Sequence, residues 1–152
     1  MSFSGNPTKF ADQAIVNDGF WPELSVAEFQ KAYRLPGEYL VELLAAELVT
    51  AMIEVNTDLA KRKAAWQAAG VSIDVTNSAV RSEGYFRGEL YRRAVYCRAK
   101  ASLLTQFATV TRRESAENTG KELPERSETF LAFSQAAVRS LQGRGRITAA
   151  LL

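Results

Sequence analysis

The residues with chemistry to offer in this chain are its cations, and they are placed lopsidedly. From Lys61 to Arg113 eleven lysines and arginines stand against three carboxylates, whereas the first sixty residues hold three cations against nine carboxylates. A cationic excess of this kind either binds phosphates or meets an acidic surface, and the acidic half of a second copy would serve for the latter. Bond-making chemistry is much harder to find. There is no histidine and one cysteine, Cys97, so imidazole–thiolate zinc sites, Cys–His dyads and Ser–His–Asp triads are all excluded. The GxxxxGK[ST] phosphate loop, the GxGxxG fingerprint and the GxSxG elbow do not occur. The carboxylates fall at helix-surface spacing, and no two are marked as a facing acid–base pair. The sequence points away from an enzyme, and no cofactor or metal is expected.

The second chemical feature is the run Asn17-Asp18-Gly19-Phe20-Trp21-Pro22-Glu23-Leu24. Two adjacent aromatics between a turn and a proline are costly to leave in water. Phe20, Trp21 and Pro22 are therefore either a structural wedge packed into the core or an anchor in an interface between subunits. Ser25 and Glu28 follow at capping-box spacing, which predicts a helix starting directly after the wedge.

The elements that must position these groups are helices. A short one is predicted over residues 25–33, ending before Pro36-Gly37. The strongest pattern covers residues 38–69, where Val41, Leu44, Leu48, Ala51, Val55 and Leu59 recur at steps of three and four. Gly70 is expected to close that helix as a left-handed C-cap. Residues 71–76 alternate β-branched and polar side chains and read as an extended connector or short strand. A second long helix is predicted over residues 82–107, with Phe86, Leu90, Ala94, Cys97, Ala101 and Leu104 inward. On that pattern Cys97 is a small core residue. Arg87 and Arg98 share an outer face with Tyr91, and Arg93 and Lys100 share another, either as solvated surface or as contact surface for a partner. Residues 108–121 read as a loop. Pro124 suits the first turn of a last helix running to Leu141, with Phe130, Phe133, Ala137 and Leu141 inward and Gly143 stopping it.

The ends have a different character. Residues 1–17 read as a loosely held N-terminal arm. The tail after Gly143 combines Arg144 and Arg146 with Ile147, Leu151 and Leu152, and it either folds back onto the helices or docks into a partner, as an added strand among other ways. The expected architecture is all-α: an elongated bundle over residues 18–142, built of two long helices, a C-terminal helix and a short N-terminal helix. It is flanked by extended arms at 1–17 and 143–152. At 152 residues, 47% apolar and 24% charged, the chain suits one globular domain with a real core. No apolar run approaches the ~20 residues that span a bilayer, no signal peptide is read at the start, and the lone cysteine fits a reducing compartment. Assembly in a cytoplasm, away from membrane, is the expectation.

Three stretches resemble the phage head completion protein (GPL) family. They are Asn17-Asp18-Gly19-Phe20-Trp21-Pro22-Glu23-Leu24-Ser25 with Phe29 and Leu35; Ala51-Met52-Ile53-Glu54-Val55-Asn56-Thr57-Asp58-Leu59; and Leu90-Tyr91-Arg92-Arg93-Ala94-Val95-Tyr96 with Ala99-Lys100-Ala101. A fourth, from Ala137 to the end, is similar to the family's tail of glycine, arginine and aliphatic residues. The resemblance implies a connector-like structural virion protein at the head–tail neck. It would form a ring, expected to be a dodecamer, on the portal protein. There it would help retain packaged DNA through its phosphates and offer a surface to the next neck or tail terminator protein. It also implies that Arg144, Arg146, Ile147, Leu151 and Leu152 form a portal-docking arm. Arg87, Arg92, Arg93, Arg98, Lys100, Arg112 and Arg113 become candidates for facing DNA or a neighbouring subunit. The alternative is a cytoplasmic helical nucleic-acid-binding protein using the basic stretch from Arg81 to Arg113. Against that stands the lack of a helix–turn–helix pair with base-reading residues.

Overall fold

The computed structural model describes residues 13–73, 83–108 and 125–144. Among them, five helices and one two-stranded ribbon form the fold. These are β1 (Ala14–Ile15), β2 (Leu24–Ser25), α1 (Val26–Ala32), α2 (Val41–Asp58), α3 (Ala60–Ala68), α4 (Glu83–Gln106) and α5 (Ser127–Leu141). The protein is all-α in class, as its periodicity predicts. Residues 1–12, the connector from 74 to 82, the loop from 109 with Arg112, Arg113 and Pro124, and the tail from 145 with Arg146, Ile147, Leu151 and Leu152 lie outside the described residues.

The helix expected over 38–69 is two helices. Leu59 sits between them at φ −99° and ψ 3°, after Asn56-Thr57-Asp58, three successive weak helix formers. The Asp58 carbonyl at the break accepts from Gln142 Nε2 at 2.9 Å, and Arg62 Nε, one turn into α3, donates to the Leu141 carbonyl at 3.1 Å. The break is thus matched to the end of α5. Gly70 caps α3 as anticipated, at φ +71°, with the Val71 N–H bonded to the Trp66 carbonyl at 2.9 Å. Gly143 does the same for α5 at φ +72°, with the Arg144 N–H on the Arg139 carbonyl at 2.9 Å. The described residues thus include Gly143 and Arg144, just past the end of α5. No strand is assigned over residues 71–73.

Helix α4 is the centre of the molecule. One side carries the anticipated stripe of Ala94, Cys97 and Ala101, all buried. There α5 lies close enough for Ser134 Oγ and Ser127 Oγ to donate to the Ala94 and Ala101 carbonyls at 2.7 and 2.8 Å. The other side, with Tyr91, Val95, Ala99 and Leu103 fully buried, meets α2 and the N-terminal segment. One residue of each predicted stripe, on α4 and on α5, is corrected. Phe86 is 61% exposed, because it lies in the first turn, ahead of the α5 contact. Phe133 of α5 is 40% exposed and lies beneath the Arg93 guanidinium, 5.1 Å from its ring centre.

The last residues of the expected arm are tied in. Strand β1 pairs antiparallel with β2, Ala14 opposite Ser25 and Ile15 opposite Leu24, and Ile15 is buried. This places the 13–17 segment in the body rather than in a loose arm.

Candidate functional site

Asp18-Gly19 forms the predicted turn. One Asp18 carboxylate oxygen accepts from the Phe20 and Trp21 N–H groups, each at 3.0 Å, Gly19 takes φ +84°, and the other oxygen meets Lys63 Nζ of α3 at 2.7 Å. Burial alone would raise the Asp18 pKa. The lysine and the two N–H groups outweigh it and hold the carboxyl below its usual value. The turn drives Trp21 inward to 3% exposure, and Pro22 is buried beside it. The indole stacks on the Tyr91 ring at 4.7 Å with 6° between the planes, and meets Trp66 edge-on at 5.9 Å. Phe20, half-buried, packs against Trp21 at 4.9 Å. Trp21 and Pro22 are thus packed inside this chain, with Phe20 half-buried at their edge.

Around that wedge the polar groups close a ring. Asn17 Nδ2 donates to the Tyr91 hydroxyl at 2.8 Å, the hydroxyl donates to Asn56 Oδ1, and Asn56 Nδ2 donates back to Asn17 Oδ1 at 3.0 Å. Asn17 Nδ2 also reaches the Pro22 carbonyl at 3.0 Å. A second hydroxyl, that of Tyr96, accepts from the Ser25 N–H at 3.0 Å and donates to Glu28 at 2.9 Å. It thereby completes the capping box of α1, whose other half is Ser25 Oγ accepting from the Glu28 N–H at 3.2 Å. Burial pushes both phenols far above their ordinary range, so they act as neutral hydrogen-bonding groups. Sequence reasoning missed these roles. Tyr91 and Tyr96 repeat at i and i+5, which fits no single helix face, and that off-stripe spacing was the available signal.

The cations sort into two groups. Lys100, expected on an outer face, is corrected: it is 2% exposed, bonded to the Tyr33 carbonyl and to Glu125 at 2.7 Å. It points inward because α1 and α5 close over that side of α4. Tyr91, expected beside Arg87 and Arg98 on the outside, is fully buried for the reason given above. Arg98 bridges Asp58 at 2.9 Å and Ser134 at 3.2 Å, fastening α4 to both neighbours. Arg92 pairs with Glu89 at 2.8 Å, and Arg87 with Glu83 at 2.9 Å while lying 4.9 Å over Trp66. Arg93 is exposed and joins Arg139 and Arg144, both also exposed, along a groove of about 810 Å³ beside α5. Arg139 was not singled out from sequence. Cys97 is buried with its thiol pKa pushed up, as befits a core residue and not a nucleophile. No His/Cys/Asp/Glu cluster able to hold a metal is found among the described residues, and no helix there is long and apolar enough to cross a membrane.

The described residues form an all-α body in which one part-buried polar ring ties the N-terminal turn to α2 and α4, with exposed arginines bordering a groove beside α5. The model of the family "Phage head completion protein (GPL)" matches residues 15–152, and the chain belongs to that family. It is 34% identical over 146 residues to the "Probable head completion/stabilization protein" of Haemophilus phage HP1 (strain HP1c1), a match covering 95% of each chain. No solved structure matches. The family is a structural one, and the role that follows is that of a phage head completion protein in the virion. The three stretches that carry the likeness meet at the closed ring: Asn17 from the first, Asn56 from the second, Tyr91 from the third.

Proposed function

We propose that this chain completes the DNA-filled head as an adaptor ring on the portal, with twelve copies matching the portal's symmetry. It helps retain DNA and presents the surface on which the next neck or tail terminator protein assembles. The observation that carries this reading is family membership across residues 15–152. The split of charge supports it, since a chain acidic on one flank and basic on another suits side-by-side association. DNA contact is through phosphates and reads no bases. The portal-docking arm is the tail beginning at Arg144, with Arg146, Ile147, Leu151 and Leu152, and it leaves the body beside the α2–α3 break. Free nucleic-acid binding by the 81–113 stretch is the weaker reading, because Arg87, Arg92, Arg98 and Lys100 are already engaged within the chain.

The deciding experiment is cryo-electron microscopy of the particle neck, with symmetry imposed along the tail axis. A ring of this helical bundle against the portal is expected. Its absence from particles that contain DNA would overturn the reading. Deleting residues 145–152 should leave the body folded and abolish attachment to heads, and normal incorporation of the truncated chain would refute the docking arm.

A further inference from the structure

The two outer flanks of the bundle have opposite character. On α2, Ala46, Val49, Thr50, Ile53 and Thr57 are exposed along one face, and Ile53 is 58% exposed. The Thr50 and Thr57 hydroxyls donate to the Ala46 and Ile53 carbonyls one turn back, at 3.0 and 2.8 Å, which satisfies them within the helix. The face is thus apolar in effect, and α2 carries four carboxylates and no lysine or arginine: Glu54 and Asp58 face Arg98 of the same chain, Glu47 accepts from Gln106, and Glu42 stands exposed beside the apolar face. On α5, Ala132, Ala136 and Ser140 are exposed at four-residue steps. The groove beside them has Leu90, Phe133 and Val138 in its walls, with the paired Arg98 and Asp58 at one end and Arg93, Arg139 and Arg144 in excess around it. One flank is apolar with an acidic rim, the other apolar with a basic rim.

These flanks are on different sides of α4. Tyr91 faces α2, to which it is bonded through Asn56, while the Ala94 and Ala101 carbonyls face α5. With 3.6 residues per turn, the mean directions of the Tyr91, Val95, Ala99 and Leu103 stripe and of the Ala94, Cys97 and Ala101 stripe lie roughly 150° apart. A twofold dimer through either flank would set like charge against like charge. Each flank complements the other and not itself, and a contact between different patches propagates from copy to copy until it closes or runs on as a filament.

We propose that the exposed α2 face of one copy seats in the α5 groove of the next, with Glu42 on its rim meeting Arg93 and Arg139 of the neighbour. Val49 and Ile53 pack over Ala132 and Ala136, whose small side chains let the two helices approach. Arg93 and Arg139 thereby face a neighbouring subunit and not DNA. The assignment rests on the ring-adaptor reading and adds to it which surfaces meet.

The test places cysteines at Ile53 and Ala136 in a Cys97→Ala background and treats purified heads, and separately the concentrated protein, with a short bis-maleimide. The double variant should give a ladder of covalent multimers. Each single variant should give none, and an equal mixture of the two singles should stop at the dimer. A chain abundant in heads that gives no ladder overturns this interface and leaves the virion role standing. A chain absent from heads removes the virion role, and the ladder from concentrated protein then decides the interface alone. Glu42→Arg and Arg139→Glu should each lower incorporation into heads at least tenfold with thermal stability unchanged, and the two combined in one chain should restore it. Failure of that rescue, with both singles folded, would also overturn the pairing.

Discussion

The closed ring of Asn17, Asn56 and Tyr91 makes a sharp energetic prediction. Tyr91→Phe removes one oxygen and keeps the ring that stacks on Trp21 at 4.7 Å, so hydrophobic packing is preserved and the loss is polar. The hydroxyl accepts from Asn17 and donates to Asn56. Its removal leaves the Asn56 carbonyl oxygen without a donor, while Asn17 Nδ2 keeps the Pro22 carbonyl. One stranded, part-buried acceptor costs about 1–3 kcal/mol, and taking 2 as the centre gives about 4–8 °C in Tm for a chain of this length. Asn17→Ala and Asn56→Ala should each cost a similar amount. The double variant Asn17→Ala/Asn56→Ala should cost less than their sum by at least about 0.5 kcal/mol, because the first change already opens the ring that the second would break. The assay is urea unfolding of the four proteins in the cycle, with unchanged m-values as the check that the denatured state is the same. Strict additivity of the two asparagine variants, or a Tyr91→Phe variant within about 0.5 kcal/mol of the parent, would refute the ring as a coupled unit.

Three further outcomes follow from the same geometry. Lys100→Glu should cost about 3–5 kcal/mol, since it buries an anion beside Glu125 and the Tyr33 carbonyl, whereas Arg93→Glu should stay within about 0.5 kcal/mol of the parent; urea unfolding separates them. Gly143→Ala should cost about 1–2 kcal/mol through its positive φ, and its new Cβ would sit 3.5 Å from the Arg62 guanidinium, read as a shift in thermal midpoint. The folded-state pKa values of Tyr91 and Tyr96 lie above the ordinary value of 10.0. Their contribution is therefore full below about pH 10 and is lost as pH rises beyond it, at up to about 1.4 kcal/mol per pH unit for each. Unfolding midpoints measured upward from about pH 9 should fall less steeply in Tyr91→Phe than in the parent, and parallel curves would refute this assignment.

Much of the fold was legible because its signals are local. The α2 periodicity, the turn at Asp18-Gly19 and the glycine caps at 70 and 143 each follow from a few neighbouring residues. The division at Leu59 was not, because an apolar stripe runs through it without interruption and the groups that hold it, Arg62 and Gln142, find their partners 79 and 84 residues away in sequence. Helix α4 misled for a related reason. It is buried on two sides at once, so a single-stripe reading captured the α5 side and left Tyr91 and Lys100 on the surface. Of the cations put forward as one set, geometry divides those that fasten helices together from those that reach outward, and only three-dimensional packing makes that distinction.

The residues that make this chain recognisable and the residues that would make it function occupy different places. Asn17, Trp21, Asn56 and Tyr91 lie where the N-terminal turn, α2 and α4 converge; the side chains of Asn17, Asn56 and Tyr91 bond one another inside the chain, while the buried Trp21 indole N–H has no partner among the described residues. Such a polar ring is tolerant of nothing but its own partners, since each member lost strands another in a low-dielectric site. Its effect is to fix α2 against α4, just as Arg98 and Ser134 fix α5 against α4 on the other side. The outer faces of α2 and α5 are consequently held at a set separation and angle, which is what a subunit needs if identical contacts are to repeat around a ring. In the portal ring proposed above, a small change of angle in one subunit would be multiplied by every copy, so such a ring would demand more rigidity than stability alone requires. On this argument Tyr91→Phe should impair incorporation into heads at temperatures where the isolated chain remains fully folded. Incorporation that simply tracks the folded fraction would show instead that the buried ring serves stability and nothing more.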